Sequence, residues 1–156
     1  MSGADFMRRA IALSRERMEA GGGGPFGAVV VRDGQIVGEG WNRVTSTNDP
    51  TAHAEIVAIR AACQALASFS LEGCEIYTSC EPCPMCLTAI YWARLARIYY
   101  GNDRMAAAQI GFDDALLYRE VALPVEARLI PAVRLLADEA HEAFLAWERK
   151  PDKIRY

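Results

Sequence analysis

Gly27-Ala-Val-Val-Val-Arg-Asp-Gly-Gln-Ile-Val-Gly-Glu-Gly-Trp41 reads as a β-hairpin. Val29–Val31 favour a pleated strand, Asp33-Gly34 supplies a tight turn, and Ile36–Trp41 returns as the partner. Working outward, Phe6, Ala10 and Leu13, flanked by Met7, Ile11 and Met18, recur at helical spacing and predict a first helix. The run Gly21–Gly24 ends it, because four glycines are too costly in backbone entropy to remain helical. On the other side, Asp49 as cap and Pro50 in the first turn predict a helix with Ile56, Ile59, Cys63 and Leu66 as its apolar stripe, running to about Ser68. Cys74–Ser79 alternates like a strand, Pro82 opens a third helix to about Arg94, and Ile98-Tyr-Tyr100 is a further strand. Met105–Ile110 is a short helix before the loop Gly111–Asp114. Ala127–Leu136 is expected as an edge strand tolerating Pro131, and Ala137–Lys150 as an amphipathic helix with Ala140, Phe144 and Trp147 on one face. Strands alternating with helices point to a layered α/β sheet.

The chain has 156 residues, 52% of them hydrophobic and 24% charged, with a net charge of −3. That length suits one domain with a real core. A mildly acidic chain has no general pull on phosphate backbones, which argues against duplex binding. No apolar run is long enough to span a membrane, and Met1–Arg9 lacks the apolar segment of a secretory signal. Five cysteines, an odd count, argue against a disulfide framework. Reduced thiols used for metal or catalysis, in a cytoplasmic protein, are the expectation.

The chemistry sits in two short stretches, Thr51-Ala-His-Ala-Glu55 and Glu81-Pro-Cys-Pro-Met-Cys86. Cys83 and Cys86 lie three apart, on one face in the first turn of a helix whose positive end favours thiolates. His53 is placed in the first turn of its own helix, so two helix starts would converge on one cation. One nitrogen and two sulfurs leave a fourth tetrahedral position open, which marks a catalytic rather than a structural zinc. Glu55 follows two residues after His53 and is placed to carry protons for a water at the metal. Taken alone, the Cys-x-x-Cys pair also fits a thioredoxin-like redox site or half of a zinc finger. His-x-Glu followed by Pro-Cys-x-x-Cys is, however, the signature of zinc nucleobase deaminases. His141, between Glu139 and Glu142, reads as a solvated histidine. Cys63, Cys74 and Cys80 read as packing.

At these residues the sequence resembles the cytidine deaminase-like superfamily, and within it the small bacterial guanine deaminases. The likeness runs through Gly23-Gly-Pro-Phe-Gly-Ala-Val, Asn48-Asp-Pro-Thr-Ala-His-Ala-Glu, Tyr77–Cys86, Ala89-Ile-Tyr-Trp-Ala-Arg, Gly111-Phe-Asp-Asp and an aromatic last residue. The zinc motif identifies only the superfamily; Gly-Gly-Pro-Phe together with Gly-Phe-Asp-Asp narrows it to guanine. The resemblance implies zinc on His53, Cys83 and Cys86, with Glu55 as the proton shuttle. It implies that Phe26 and Trp92 sandwich a purine, positions that taken alone would read as core packing. Asn42 would offer its amide to the base edge, and Asp114 would accept from guanine's N–H donors. Tyr156 would reach the active site of the partner in a domain-swapped homodimer, with residues 151–156 as a lid.

The expectation is therefore one zinc-dependent deaminase domain over residues 1–156, a three-layer α/β/α sandwich with a five-stranded mixed sheet. Its expected reaction is hydrolytic deamination of guanine to xanthine and ammonia, with neither membrane nor nucleic acid as partner. Guanosine, cytosine, a triazine or tRNA adenosine are alternative substrates. A zinc-stabilised binding module is the non-enzymatic alternative, against which Glu55 speaks, since a purely structural site has no use for it.

Overall fold

The computed structural model describes all 156 residues, which divide into two compact units, Met1–Asp114 and Ala115–Tyr156. In the first unit, α1 (Gly3–Glu19) opens on a capping box in which the Ser2 and Asp5 side chains each accept from the other's backbone N–H. Its end is a Schellman turn: Gly21 at φ 78° donates to the Met18 carbonyl and Gly22 to that of Arg17. Strands β1 (Gly27–Arg32) and β2 (Gln35–Trp41) form the expected hairpin, with Asp33 and Gly34 both at positive φ as a type I′ turn requires. A one-turn helix α2 (Val44–Thr47) precedes α3 (Ala54–Ala65). Then follow β3 (Glu75–Cys80), α4 (Pro84–Trp92), β4 (Arg97–Asn102) and α5 (Arg104–Gln109).

The sheet is mixed, in the order β2-β1-β3-β4; β1 is antiparallel to β2 and β3, and β3 is parallel to β4. Alternation along β1 feeds two cores. Ala28 and Val30 join Ala54, Ala58 and Ala62 of α3 and Ile90 of α4, while Val29 and Val31 join Phe6 and Leu13 of α1. The sheet thus has helices on both faces. Helix α3 lies unusually close to β2. A Cβ on Gly40 would collide with the Ala54 carbonyl oxygen and the Ala58 nitrogen, and one on Gly38 with Ala58 and Ala62. Glycine on the strand and alanine on the helix let the backbones touch, and that contact fixes the height of α3 over the sheet.

The topology also collects the functional residues at one end. Gly27 pairs with Trp41, Ala28 with Thr78 and Cys80 with Asn102, so the start of β1 and the ends of β2, β3 and β4 share one edge. The carboxyl ends of strands are where ligands gather in open α/β sheets.

The second unit contains α6 (Ala115–Ala122), a 3-10 turn over Val125–Ala127 and α7 (Ala137–Arg149). The sheet has four strands rather than five: the edge strand expected over Ala127–Leu136 does not form. Three of its backbone donors, those of Ala127, Arg128 and Leu129, are spent locally and one is missing. The Leu129 N–H donates to Glu120 Oε2 at 2.7 Å, and Pro131 has no N–H to give a ladder. Helix α7 forms as the periodicity indicates, yet no side chain of Ala115–Tyr156 is buried. No helix of the chain is long and apolar enough to cross a membrane.

Candidate active site

Two helix starts carry the metal donors, and both lie later in the chain than the sequence suggests. Helix α3 begins at Ala54, five residues beyond the expected Asp49 cap; Asp49 Oδ1 instead accepts from the Thr51 N–H and hydroxyl at 2.8 and 2.6 Å. Helix α4 begins at Pro84, not Pro82, and stops at Trp92. His53 and Cys83 are therefore the N-cap residues of α3 and α4, both extended with ψ of 158° and 168°, rather than members of the first turn. The extended backbone swings each side chain off the helix end and toward its counterpart.

His53 Nδ1 lies 3.6 Å from Cys83 Sγ and 3.5 Å from Cys86 Sγ. A tetrahedral zinc with Zn–S near 2.3 Å and Zn–N near 2.05 Å separates nitrogen and sulfur by roughly 3.6 Å. The donor set and its spacing fit a zinc ion, and the group is positioned to hold one. The protonation of the cluster points the same way. The Cys86 thiol donating to Cys83, with His53 beside it, brings the Cys83 thiol down to about 4 despite its burial. Cys86 is correspondingly pushed up, and His53 is raised chiefly by its hydrogen bond to Cys83. A thiolate is what a soft-ligand site requires.

Glu55, in the first turn of α3, is only 7% exposed, and burial pushes its carboxyl above the ordinary range. A buried carboxyl whose proton affinity is raised suits general acid–base work. Cys80 is buried and pushed up to about 11 by that burial, which leaves it an inert thiol near the site. Cys74 is buried and Cys63 half-buried on the α3 side of the sheet, as packing. His141 is exposed on α7, set edge-on to Phe144.

Asn42 follows β2 directly and is 7% exposed. Its Oδ1 already accepts from the backbone N–H groups of Gly24 and Val44 at 3.3 and 3.1 Å, so what it can offer a ligand is the Nδ2 donor rather than both ends of the amide. Asp114 closes the first unit within electrostatic reach of Cys83; burial first, and then that neighbouring charge, raise its carboxyl. Phe26 precedes β1 and meets Phe112 edge-on, with centroids 4.9 Å apart at 90°. The structure thus gathers His53, Glu55, Cys83 and Cys86, with Asp114 nearby and Phe26 and Asn42 at the same sheet edge. Trp92 lies at the opposite end of α4 from the cysteines, about 9 Å along the axis from Cys86, and is 68% exposed. Tyr156 is 73% exposed in the second unit.

Sequence reasoning gave no role to five contributing residues. Gly38 and Gly40 seat α3. Ser79 Oγ accepts the Gly27 N–H at 3.0 Å and ties β1 to β3 at the site edge. Glu81 Oε2 accepts the Arg104 N–H at 2.9 Å and joins the cysteine loop to α5. Phe112 stands against Phe26. Gly-x-Gly in β2 opposite the Ala54, Ala58 and Ala62 repeat was a readable sign of close approach; the other three depend on contacts across the fold.

The chain matches the cytidine and deoxycytidylate deaminase zinc-binding region over residues 2–102. It is 49% identical to guanine deaminase of Bacillus subtilis over 156 residues, covering all of both chains. It is 46% identical to a tRNA-specific adenosine deaminase of Agrobacterium fabrum over 99 residues, 62% of each chain. An X-ray structure of the Bacillus subtilis guanine deaminase superposes with a TM-score of 0.97 at 49% identity, covering 100% of this chain and 99% of that one. The matched region contains both helix starts and every metal donor, and the chain belongs to the cytidine and deoxycytidylate deaminase zinc-binding family.

Proposed function

We propose that the chain catalyses the hydrolytic deamination of guanine, in which guanine and water yield xanthine and ammonia. One observation carries the reading: similarity to a guanine deaminase extends over the whole chain, whereas similarity to the tRNA-specific adenosine deaminase covers 62% of it. The residues that set substrate choice in this proposal include Asp114 and Tyr156, outside the 2–102 family match.

A zinc ion on His53, Cys83 and Cys86 supplies the Lewis acidity that makes water a nucleophile at neutral pH. Glu55 takes the proton of the attacking water and delivers it to the departing amino group. Asn42 Nδ2 donates to the base, and Asp114 accepts from guanine's ring N–H and amino donors. Phe26 stacks on one face of the purine. Stacking of this kind contributes about 1–3 kcal/mol per base. The reaction would run in the cytoplasm, where the thiols stay reduced.

The same proposal extends to a domain-swapped homodimer in which the whole chain acts as one deaminase domain. It is supported by the second unit, which exposes Leu129, Ile130, Phe144 and other large apolar side chains and buries none. Tyr156 of the tail would then cover the partner's pocket, excluding water and gating release. Deleting Asp152–Tyr156 is expected to leave one zinc per chain and an unchanged thermal midpoint while guanine turnover falls sharply; undiminished turnover would remove the tail from the site.

The substrate is tested by ammonia release from guanine, guanosine, adenine, cytosine, cytidine and a tRNA stem-loop. Guanine is expected to give the highest kcat/KM of the six. Preferential release from the stem-loop would move the chain to the tRNA deaminases, and no release from any substrate would favour a zinc-stabilised binding module.

A further inference from the structure

Helix α5 is a six-residue strut fixed at both ends. At its start, Asp103 Oδ1 accepts the Ala106 N–H at 2.8 Å, and Glu81, two residues before Cys83, accepts the N–H of Arg104. At its end a second Schellman turn forms: Gly111 at φ 96° donates to the Ala108 carbonyl and Phe112 to that of Ala107. The chain leaves this turn with the Phe112 ring set edge-on against Phe26, and Gly24 lies against both rings, so close that a Cβ there would come within 3.3 Å of each. Asp114 follows two residues later. Three segments that are distant in sequence, the loop before β1, the cysteine loop and the 111–114 turn, are thereby locked together. The first and the third of these meet through the Phe26–Phe112 pair.

We propose that Phe112 is a positioning residue for substrate choice: its ring, docked on Phe26, holds the 111–114 turn so that the Asp114 carboxylate faces the donor edge of the bound base. The inference rests on the guanine reading above. Phe112 is 46% exposed, so filling a core is not its main task. Its loss frees the turn, and the carboxylate no longer meets the donors at a fixed distance. Binding that depends on those donors then weakens, while stacking on Phe26 persists.

The test is calorimetric binding to zinc-loaded protein of 8-azaguanine, which keeps guanine's ring N–H and amino donors, and of unsubstituted purine, which lacks that edge. Phe112→Ala is expected to weaken 8-azaguanine about 10-fold or more, the range for a hydrogen bond to a charged group, and purine less than threefold. Phe112→Tyr keeps the ring edge and should retain wild-type selectivity. In turnover, Phe112→Ala should raise KM for guanine more than it lowers kcat. Equal weakening of both ligands would make Phe112 a plain wall of the pocket, and unchanged binding of both would remove it from the site; either overturns the proposal. If Phe112→Ala loses zinc or fails to fold, Phe112→Leu, which keeps apolar volume without the ring edge, is judged by the same two ratios. Wild-type protein that neither binds 8-azaguanine nor releases ammonia from guanine fails the underlying reading before any variant is made.

Discussion

Replacing Glu55 by Gln is expected to leave the zinc, the fold and KM for guanine close to wild type while kcat falls by about 10²–10⁴-fold or more. The size of the effect follows from the setting. Glu55 is buried in the first turn of α3, one residue beyond Ala54, whose backbone is pressed against Gly40. Gln has the same length and keeps a hydrogen-bonding head, so the helix start and the His53 cap need not move. It removes only the group that can take a proton from water and return it. Because that shuttle serves more than one proton transfer in the cycle, the loss should be at least that of a single general acid–base contribution. Zinc content by mass spectrometry, the thermal midpoint and steady-state kinetics separate these effects. A Glu55→Gln enzyme with near-normal kcat would assign the proton work elsewhere, and Asp114 would be the next carboxylate to examine.

Substitution of Cys83 is expected to abolish both zinc binding and turnover. Its position at the N-cap of α4 allows the metal effect to be separated from the helix effect. Cys83→Ala removes a metal ligand and costs no cap, because the Cys83 side chain makes no capping hydrogen bond. Cys83→Ser removes the soft sulfur but places a favoured capping hydroxyl at the same extended backbone. The Ala variant should therefore match the thermal midpoint of wild-type protein stripped of metal by a chelator, and the Ser variant should melt a few degrees above it. Both should be inactive. The metal-loaded wild type should melt above all of them, because the cation joins the starts of α3 and α4. Stoichiometric zinc in a double substitution, Cys83→Ser with Cys86→Ser, would falsify the assignment of ligands.

The donor types, their pairing with Glu55 and the hairpin were legible in the chain. Each depends on residue chemistry and on spacings of a few positions, and Asp33-Gly34 or Cys83-x-x-Cys86 carries that information locally. Helix boundaries were less legible. Asn48-Asp49-Pro50 looks like a helix start, yet Asp49 closes a turn on Thr51 and the helix waits until Ala54, where the glycines of β2 allow the backbones to meet. That delay turns His53 from a first-turn residue into an N-cap residue and aims its ring at the cysteines.

Strand number was not legible either. Ala127–Leu136 has strand-like composition, but a strand exists only where a neighbour accepts its ladder, and here the Leu129 N–H goes to Glu120 while Pro131 has none to give. The amino-acid order alone thus settled which atoms can bind a metal and move a proton, because those properties belong to side chains wherever they lie. The fold decided that His53, Cys83 and Cys86 meet within 4.8 Å, that Asn42 has spent its carbonyl on Gly24 and Val44, and that Phe112 leans on Phe26. Those facts are distances between residues far apart in the chain. Such distances follow from strand order and close backbone contact, which no local spacing contains.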